Sequence, residues 1–293
     1  MKPGVLNLDK PAGETSFEMV RQLRTLTGAR KVGHAGTLDP LATGVLPILF
    51  KSATRLADFA HRLPKTYLAE VHLGFRTPTD DAEGESEPIA DPSSLAAETV
   101  ATALASFVGT ITQRPPAFSA VKIEGRRSYQ LARAGEEAEP AAREVVIHST
   151  TLRDFRPGPE AVASIEVVCG SGTYLRALAR DLGESLGVGG YLGRLVRSAY
   201  GPLSLAGAVG IGELADAQAV QDRLLPPESV LPEMERVRLN VEQEAMVRQG
   251  RPVRVLPEPG PGPLRAHAKD GRLVALGHAD PLRHTFVPEK VLL

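Results

Sequence analysis

A single cysteine, Cys169, leaves this 293-residue chain unable to close an intrachain disulfide, which fits a reducing compartment. Its seven histidines are scattered without a metal-ligand spacing, so no metal site is expected. No stretch approaches the run of about eighteen apolar residues that a membrane span needs. The opening segment, Met1 to Lys10, lacks the apolar core of a signal peptide and runs directly into a strand-like sequence. A cytoplasmic location with no membrane association is therefore expected. No Walker A pattern is present. Gly170-Ser-Gly-Thr-Tyr-Leu175 begins like a dinucleotide fingerprint, but Leu175 stands where the third glycine belongs. Nor is there an excess of positive charge: 34 basic against 35 acidic residues give a net charge of −1.

The distribution of charge says more than its sum. Asp80, Asp81, Glu83, Glu85, Glu87 and Asp91 form an acidic run without a basic residue, while Lys122, Arg126, Arg127 and Arg133 cluster, as do Arg176, Arg180, Arg194 and Arg197. A segregated basic face could bind phosphates while the acidic loop points away. The plainer reading is that these are ordinary solvated charges.

At 42% hydrophobic and 24% charged, the composition is that of a globular protein long enough for one large domain and a small one. Val5 to Leu8 reads as a strand. Thr15 and Glu18 stand at capping-box spacing before a helix whose apolar face would be Phe17, Val20, Leu23 and Leu26, with Gly28 to end it. Ala53 to Leu63 has helical spacing, Tyr67 to Leu73 alternates as a strand, and a helix is predicted over about 93–107. Val145 to Leu152 and Val162 to Cys169 read as strands, followed by a helix after Gly172. This mixture lacks regular βαβ alternation, so the expected class is α+β with a mixed, largely antiparallel sheet flanked by helices. A turn-rich boundary at 224–232 separates residues 1–230 from 231–293, where short strand-like pieces suggest a compact β-barrel-like module.

Residues 33 to 47, Gly-His-Ala-Gly-Thr-Leu-Asp-Pro-Leu-Ala-Thr-Gly-Val-Leu-Pro, are the most informative stretch. Pro40 pushes Asp39 towards an extended conformation, and Gly33, Gly36 and Gly44 allow tight turns around it. An isolated Asp-Pro would be a solvated turn. The whole string, however, resembles the catalytic motif of the TruB-type pseudouridine synthases at each of its fixed positions. Further segments resemble that family in order: Gly4 to Ser16, Lys65 to Gly74, Pro116 to Lys122 with Arg127, Tyr129 and Leu131 to Arg133, Gly172 to Arg176, and Asp181 to Gly183.

The resemblance implies isomerisation of uridine to pseudouridine at position 55 in the T arm of tRNA. That reaction is redox-neutral and needs neither cofactor nor metal, but it needs a carboxylate nucleophile or base in a site that excludes water. Asp39 would be that carboxylate; attack on the ribose, attack on the base and proton abstraction all stay open. Tyr67 would stack on the flipped uracil and could take part in proton transfer. Arg176 would pair with Asp39, Tyr174 and Leu195 would line the pocket, and His34 would fill the space the flipped nucleotide leaves. Flipping costs roughly a few kcal/mol of stacking, which a wedge lowers. Lys10-Pro11 would support the floor of the site. Residues 116–139 would form an RNA-clasping insertion, with Lys122, Arg126, Arg127 and Arg133 on the phosphates. Residues 231–293 match a PUA domain by position.

Two departures from the family pattern stand out: Val196 replaces a usual arginine and Tyr191 a usual histidine, which implies one fewer phosphate contact. The expected partner is tRNA, with no obligatory protein partner and a monomeric state. Two rival readings stay open. A guide-RNA-dependent relative acting on ribosomal RNA usually carries basic terminal extensions, which are not seen here. A non-catalytic RNA-folding or RNA-binding module would have no need of Asp39, Tyr67 and Arg176 together.

Overall fold

The computed structural model describes the chain except residues 120, 124, 135, 137–139, 256–259, 261 and 293, and the side chains of 122, 127, 129, 132 and 133. Ten strands form the main sheet: β1 (Gly4–Lys10), β2 (Val32–His34), β3 (Thr43–Phe50), β4 (Lys65–Leu73), β5 (Gly109–Gln113), β6 (Arg143–Arg156), β7 (Ala161–Cys169), β8 (Gly190–Tyr200), β9 (Leu203–Ser204) and β10 (Val209–Gly210). Their order is β10-β1-β3-β8-β4-β7-β6-β5, with β2 on β3 and β9 on β8. Among the described residues of this sheet, only the β1–β10 and β3–β8 pairs are parallel. The expected α+β class with a largely antiparallel sheet is what the chain adopts.

The central strands show why. Along β4, Lys65, Tyr67, Ala69, Val71 and Leu73 are buried, and the residues between them are not. Helix α1 (Ser16–Thr27) begins at Thr15, whose side chain accepts from the Glu18 N–H while Glu18 accepts from the Thr15 N–H, and it ends at left-handed Gly28. Its buried face is Ser16, Met19, Val20 and Leu23. Phe17, expected on that face, is 65% exposed, because Ser16 and not Phe17 turns towards the core. Helix α2 (Ala97–Ala105) starts later than expected, after the turn closed by Leu95 N–H on the Pro92 carbonyl. The span expected to be one helix from Ala53 divides into a 3₁₀ stretch, Lys51–Leu56, and a short α turn, Ala57–His61.

Helix α3 (Leu175–Ser185) packs its buried face on β8, a strand that sequence patterning did not reveal. The packing is close: a Cβ on Gly183 would meet the Gly189 carbonyl carbon at 2.1 Å.

The C-terminal residues 235–291 form a second sheet of five strands: β11 (Glu235–Arg238), β12 (Val253–Arg254), β13 (Pro263–His267), β14 (Leu273–Asp280) and β15 (Thr285–Val291), in the order β11-β13-β14-β15-β12. It is consistent with a PUA-like module. Helix α4 (Val241–Arg248) follows the N-cap Asn240. Leu276 and Leu292 join the cluster of Val5, Leu49 and Leu56, and Lys290 Nζ lies 2.7 Å from Asp58, so the small sheet rests on the large body.

Candidate active site

Asp39 lies in the loop between β2 and β3, and buried groups hold that loop on several sides. Ser16 Oγ accepts from the Leu38 N–H at 2.9 Å and donates to the Leu38 carbonyl at 3.2 Å. Lys10 is fully buried, and its Nζ donates to the carbonyls of Pro11, Glu14 and Pro40. The floor role expected of Lys10 thus takes the form of main-chain hydrogen bonds. Burial pushes its ammonium down to about 8.

The Asp39 side chain, 34% exposed, faces Arg176 on α3, whose Nε is 2.9 Å from Asp39 Oδ2. The Nε–H is not aimed at that oxygen, so the contact is an ion pair and not a hydrogen bond. The rest of the guanidinium is held elsewhere. Nη1 donates to the Thr79 carbonyl at 3.1 Å, Nη2 donates to the Phe118 carbonyl at 3.0 Å, and Asp81 Oδ2 lies 3.4 Å from Nη1. Asp81 is 2% exposed and accepts from Thr79 Oγ1 and the Glu83 N–H.

This corrects two expectations about charge. The acidic run does not point away as a unit: Asp81 serves Arg176, and Asp80 pairs with Arg180 at 2.9 Å, while Glu83, Glu85, Glu87 and Asp91 are exposed. Burial raises Asp80 to about 6 although Arg180 opposes it. Nor do Arg176, Arg180, Arg194 and Arg197 make a basic face. Arg176 and Arg197 are buried, Arg180 is bound to Asp80 and Asp181, and only Arg194 has a mostly exposed side chain.

A cavity of about 520 Å³ opens beside the ion pair, and Asp39, Tyr67, Tyr174, Arg176 and Leu195 all line it. Tyr67 is 8% exposed on β4; burial pushes its hydroxyl above the usual range, with Arg197 opposing. Tyr174 is the N-cap of α3, fixed by two hydrogen bonds to the Gln113 side chain and covered by Arg143, whose guanidinium carbon is 5.0 Å from its ring centre. Leu195 supplies an apolar wall from β8. His34 is placed differently: it precedes the loop on β2 and lies outside that wall. Burial, aided by Arg197 and His61, holds its imidazole below the usual range.

Of the four basic residues in the insertion, Lys122, Arg127 and Arg133 have side chains outside the described residues. Arg126 is exposed but engaged, making two hydrogen bonds to Glu136 at 2.8 and 2.9 Å. The insertion also reaches the site itself, since the Phe118 carbonyl binds Arg176 and Phe118 and Ser119 line the cavity. Among the described residues no group of histidine, cysteine and carboxylate side chains could hold a metal ion, and no helix is long and apolar enough to cross a membrane.

Sequence reading missed Asp81, Ser16 and the burial of Lys65. Lys65 Nζ donates to the His61 carbonyl at 2.6 Å and to Ser171 Oγ at 2.7 Å, and burial lowers it to about 8. Local signals existed in the Lys-x-Tyr and Asp-Asp spacings, but nothing local says which charge turns inward.

Comparison with known proteins shows the family. The family model described as TruB family pseudouridylate synthase (N terminal domain) matches residues 24–175, just over half of the chain. A protein from Symbiobacterium thermophilum named tRNA pseudouridine synthase B is 49% identical over 247 residues, covering 84% of this chain and 82% of its own length. One of the same name from Synechococcus elongatus is 43% identical over 281 residues, covering 94% and 93%. Among solved structures, a chain of a Cbf5-Nop10-Gar1 complex superposes with a TM-score of 0.73 at 24% identity, over 99% of this chain and 85% of that one. A chain of an H/ACA RNP bound to a substrate RNA containing 2′-deoxyuridine does so at 0.73 and 22%, over 99% and 85%. These two show a shared fold. By its motif, the family match and its relatives, the chain belongs to the TruB family of pseudouridylate synthases.

Proposed function

We propose that this protein isomerises uridine to pseudouridine in the T arm of tRNA, at position 55, acting alone and as a monomer. The observation that carries the reading is the Asp39–Arg176 ion pair at the wall of a cavity that Tyr67, Tyr174 and Leu195 also line. In the reaction the bond from N1 to the ribose C1′ breaks, the base turns, and C5 bonds to C1′. The C5 proton then leaves and N1 gains one, so atoms and charge balance. Asp39 is the nucleophile or base, faced by the Arg176 guanidinium. Tyr67 and Tyr174 present flat faces for a flipped uracil. Leu195 and the buried floor keep water from the detached base. His34, just ahead of the loop, is placed to enter the space that the flipped nucleotide leaves. The described part of the insertion, joined to Arg176 through Phe118, couples RNA clasping to the geometry of the pair.

The relatives named tRNA pseudouridine synthase B favour tRNA over a guide-directed substrate. The test is to map pseudouridine on unmodified tRNA transcripts incubated with this protein alone. Pseudouridine at position 55 supports the reading. Modification only in the presence of a guide RNA or a protein partner, or none at all, refutes it.

A further inference from the structure

We infer that Arg197 is a positioning residue for this reaction, a fully buried guanidinium that seats the Asp39 loop by binding main-chain oxygens on both sides of it. The inference rests on the function proposed above. Arg197, on β8, is 1% exposed, and it donates from Nε to the Val45 carbonyl at 2.6 Å and from Nη2 to the Gly36 carbonyl at 3.0 Å. A longer contact runs from Nη1 to the Thr37 carbonyl at 3.4 Å. Gly36 and Thr37 precede Asp39 and Val45 follows it, so one rigid fork closes the base of the loop.

The seat has a second part. The Tyr200 ring contacts two cations, with the Arg197 guanidinium carbon 5.0 Å and Lys65 Nζ 4.8 Å from its centre. That ring also presses on the loop: a Cβ on Gly36, which has φ +73°, would come within 2.8 Å of Tyr200 Cε2. Arg197, Tyr200 and Gly36 therefore form one packed column beneath the catalytic loop.

A structural plug would not need the charge. Among the described residues no carboxylate pairs with Arg197, and burying an uncompensated cation is costly when a neutral donor could bind the same carbonyls. Arg197 also lines the cavity that holds Asp39, so its charge is spent where an anionic group works. Its burial rules out the phosphate contact that its place in a run of arginines had suggested.

The experiment measures single-turnover pseudouridine formation, tRNA affinity and thermal stability for the wild type, Arg197→Lys, Arg197→Gln and Gly36→Ala. Displacing reacting groups by about 1 Å costs on the order of a hundredfold in rate, so both Arg197 variants should lose about that much with tRNA affinity unchanged. Lysine, which keeps the charge, should recover part of what glutamine loses. Gly36→Ala leaves the guanidinium in place and pushes the loop away from Tyr200, so it should slow the same step at unchanged affinity. Where the Arg197 variants do not fold, Gly36→Ala decides: a slowed step at normal affinity supports the inference, and a wild-type rate overturns it. Folded Arg197 variants with wild-type single-turnover rates, or with losses matched by weakened tRNA binding, also overturn it. A wild type that forms no pseudouridine overturns the function proposed above and this inference with it, whereas an active wild type with unaffected variants overturns this inference alone.

Discussion

Asp81 places a buried carboxylate oxygen 3.4 Å from Nη1 of Arg176, a different nitrogen from the one that faces Asp39. The arginine therefore stands between two acids of unequal exposure: Asp81 has a side chain 3% exposed and Asp39 one 34% exposed. The inner acid braces the guanidinium, and the outer acid opens onto the cavity.

Asp81→Asn should keep the shape of that support and remove its charge. Truncating one member of a buried pair costs about 3–5 kcal/mol, and the Thr79 and Phe118 carbonyls still hold Arg176, so the lower end is expected. Urea unfolding gives the stability loss. Single-turnover kinetics should show a slowed reaction with tRNA binding intact; normal kinetics would show that Arg176 is oriented by the carbonyls alone.

Replacing Asp39 by asparagine keeps the size of the side chain and removes the negative charge opposite Arg176. Turnover should be abolished while affinity for tRNA stays close to wild type, since the carboxylate adds nothing to phosphate contacts. Substantial pseudouridine formation by this variant would remove Asp39 from the chemistry.

Arg176→Met should lose activity steeply, because it removes the cation facing Asp39 and leaves buried Asp81 without its partner. Arg176→Lys should retain more, although an ammonium cannot reach Asp39, Asp81 and two carbonyls at once. Single-turnover rates of the two variants under saturating tRNA decide: a near-normal rate for Arg176→Met would show that Arg176 is not the partner of Asp39.

Buried Lys10 and Lys65 both have folded-state values near 8, below the ordinary lysine value of 10.5. Between about 8 and 10.5 the unfolded chain binds more protons than the folded one, so these groups make stability rise with pH across that window. Lys65→Met, which removes one of them, should flatten the rise. Chemical denaturation at a series of pH values from 7 to about 10.5 measures it; an unchanged slope would mean that Lys65 stays solvated.

Arg126 is tied to Glu136 in the insertion, so neutralising Arg126 alone should change the salt dependence of tRNA binding by less than the roughly one unit expected per free phosphate contact. Glu136→Gln releases the arginine and should tighten binding at low salt. Affinity measured across a salt series tests both.

Much of this protein is written locally. The capping box at Thr15 and Glu18, the alternation through Tyr67 to Leu73 and the run from Gly33 to Pro47 are short-range patterns, and each took the form its spacing implied. Asp39, Tyr67, Tyr174, Arg176 and Leu195 can all be singled out in the bare sequence, because motif residues come in fixed spacing. What the sequence could not say was which charges turn inward. Asp81 and Glu83 are two residues apart, yet one is buried against Arg176 and the other is exposed. Arg194 and Arg197 share one strand, yet only the second lies beneath the Asp39 loop. Burial of a charge depends on partners brought from distant segments: Thr79 and Phe118 for Arg176, Gly36 and Val45 for Arg197. A carbonyl oxygen carries no signature in the sequence, so only the tertiary structure decided which arginine it would hold.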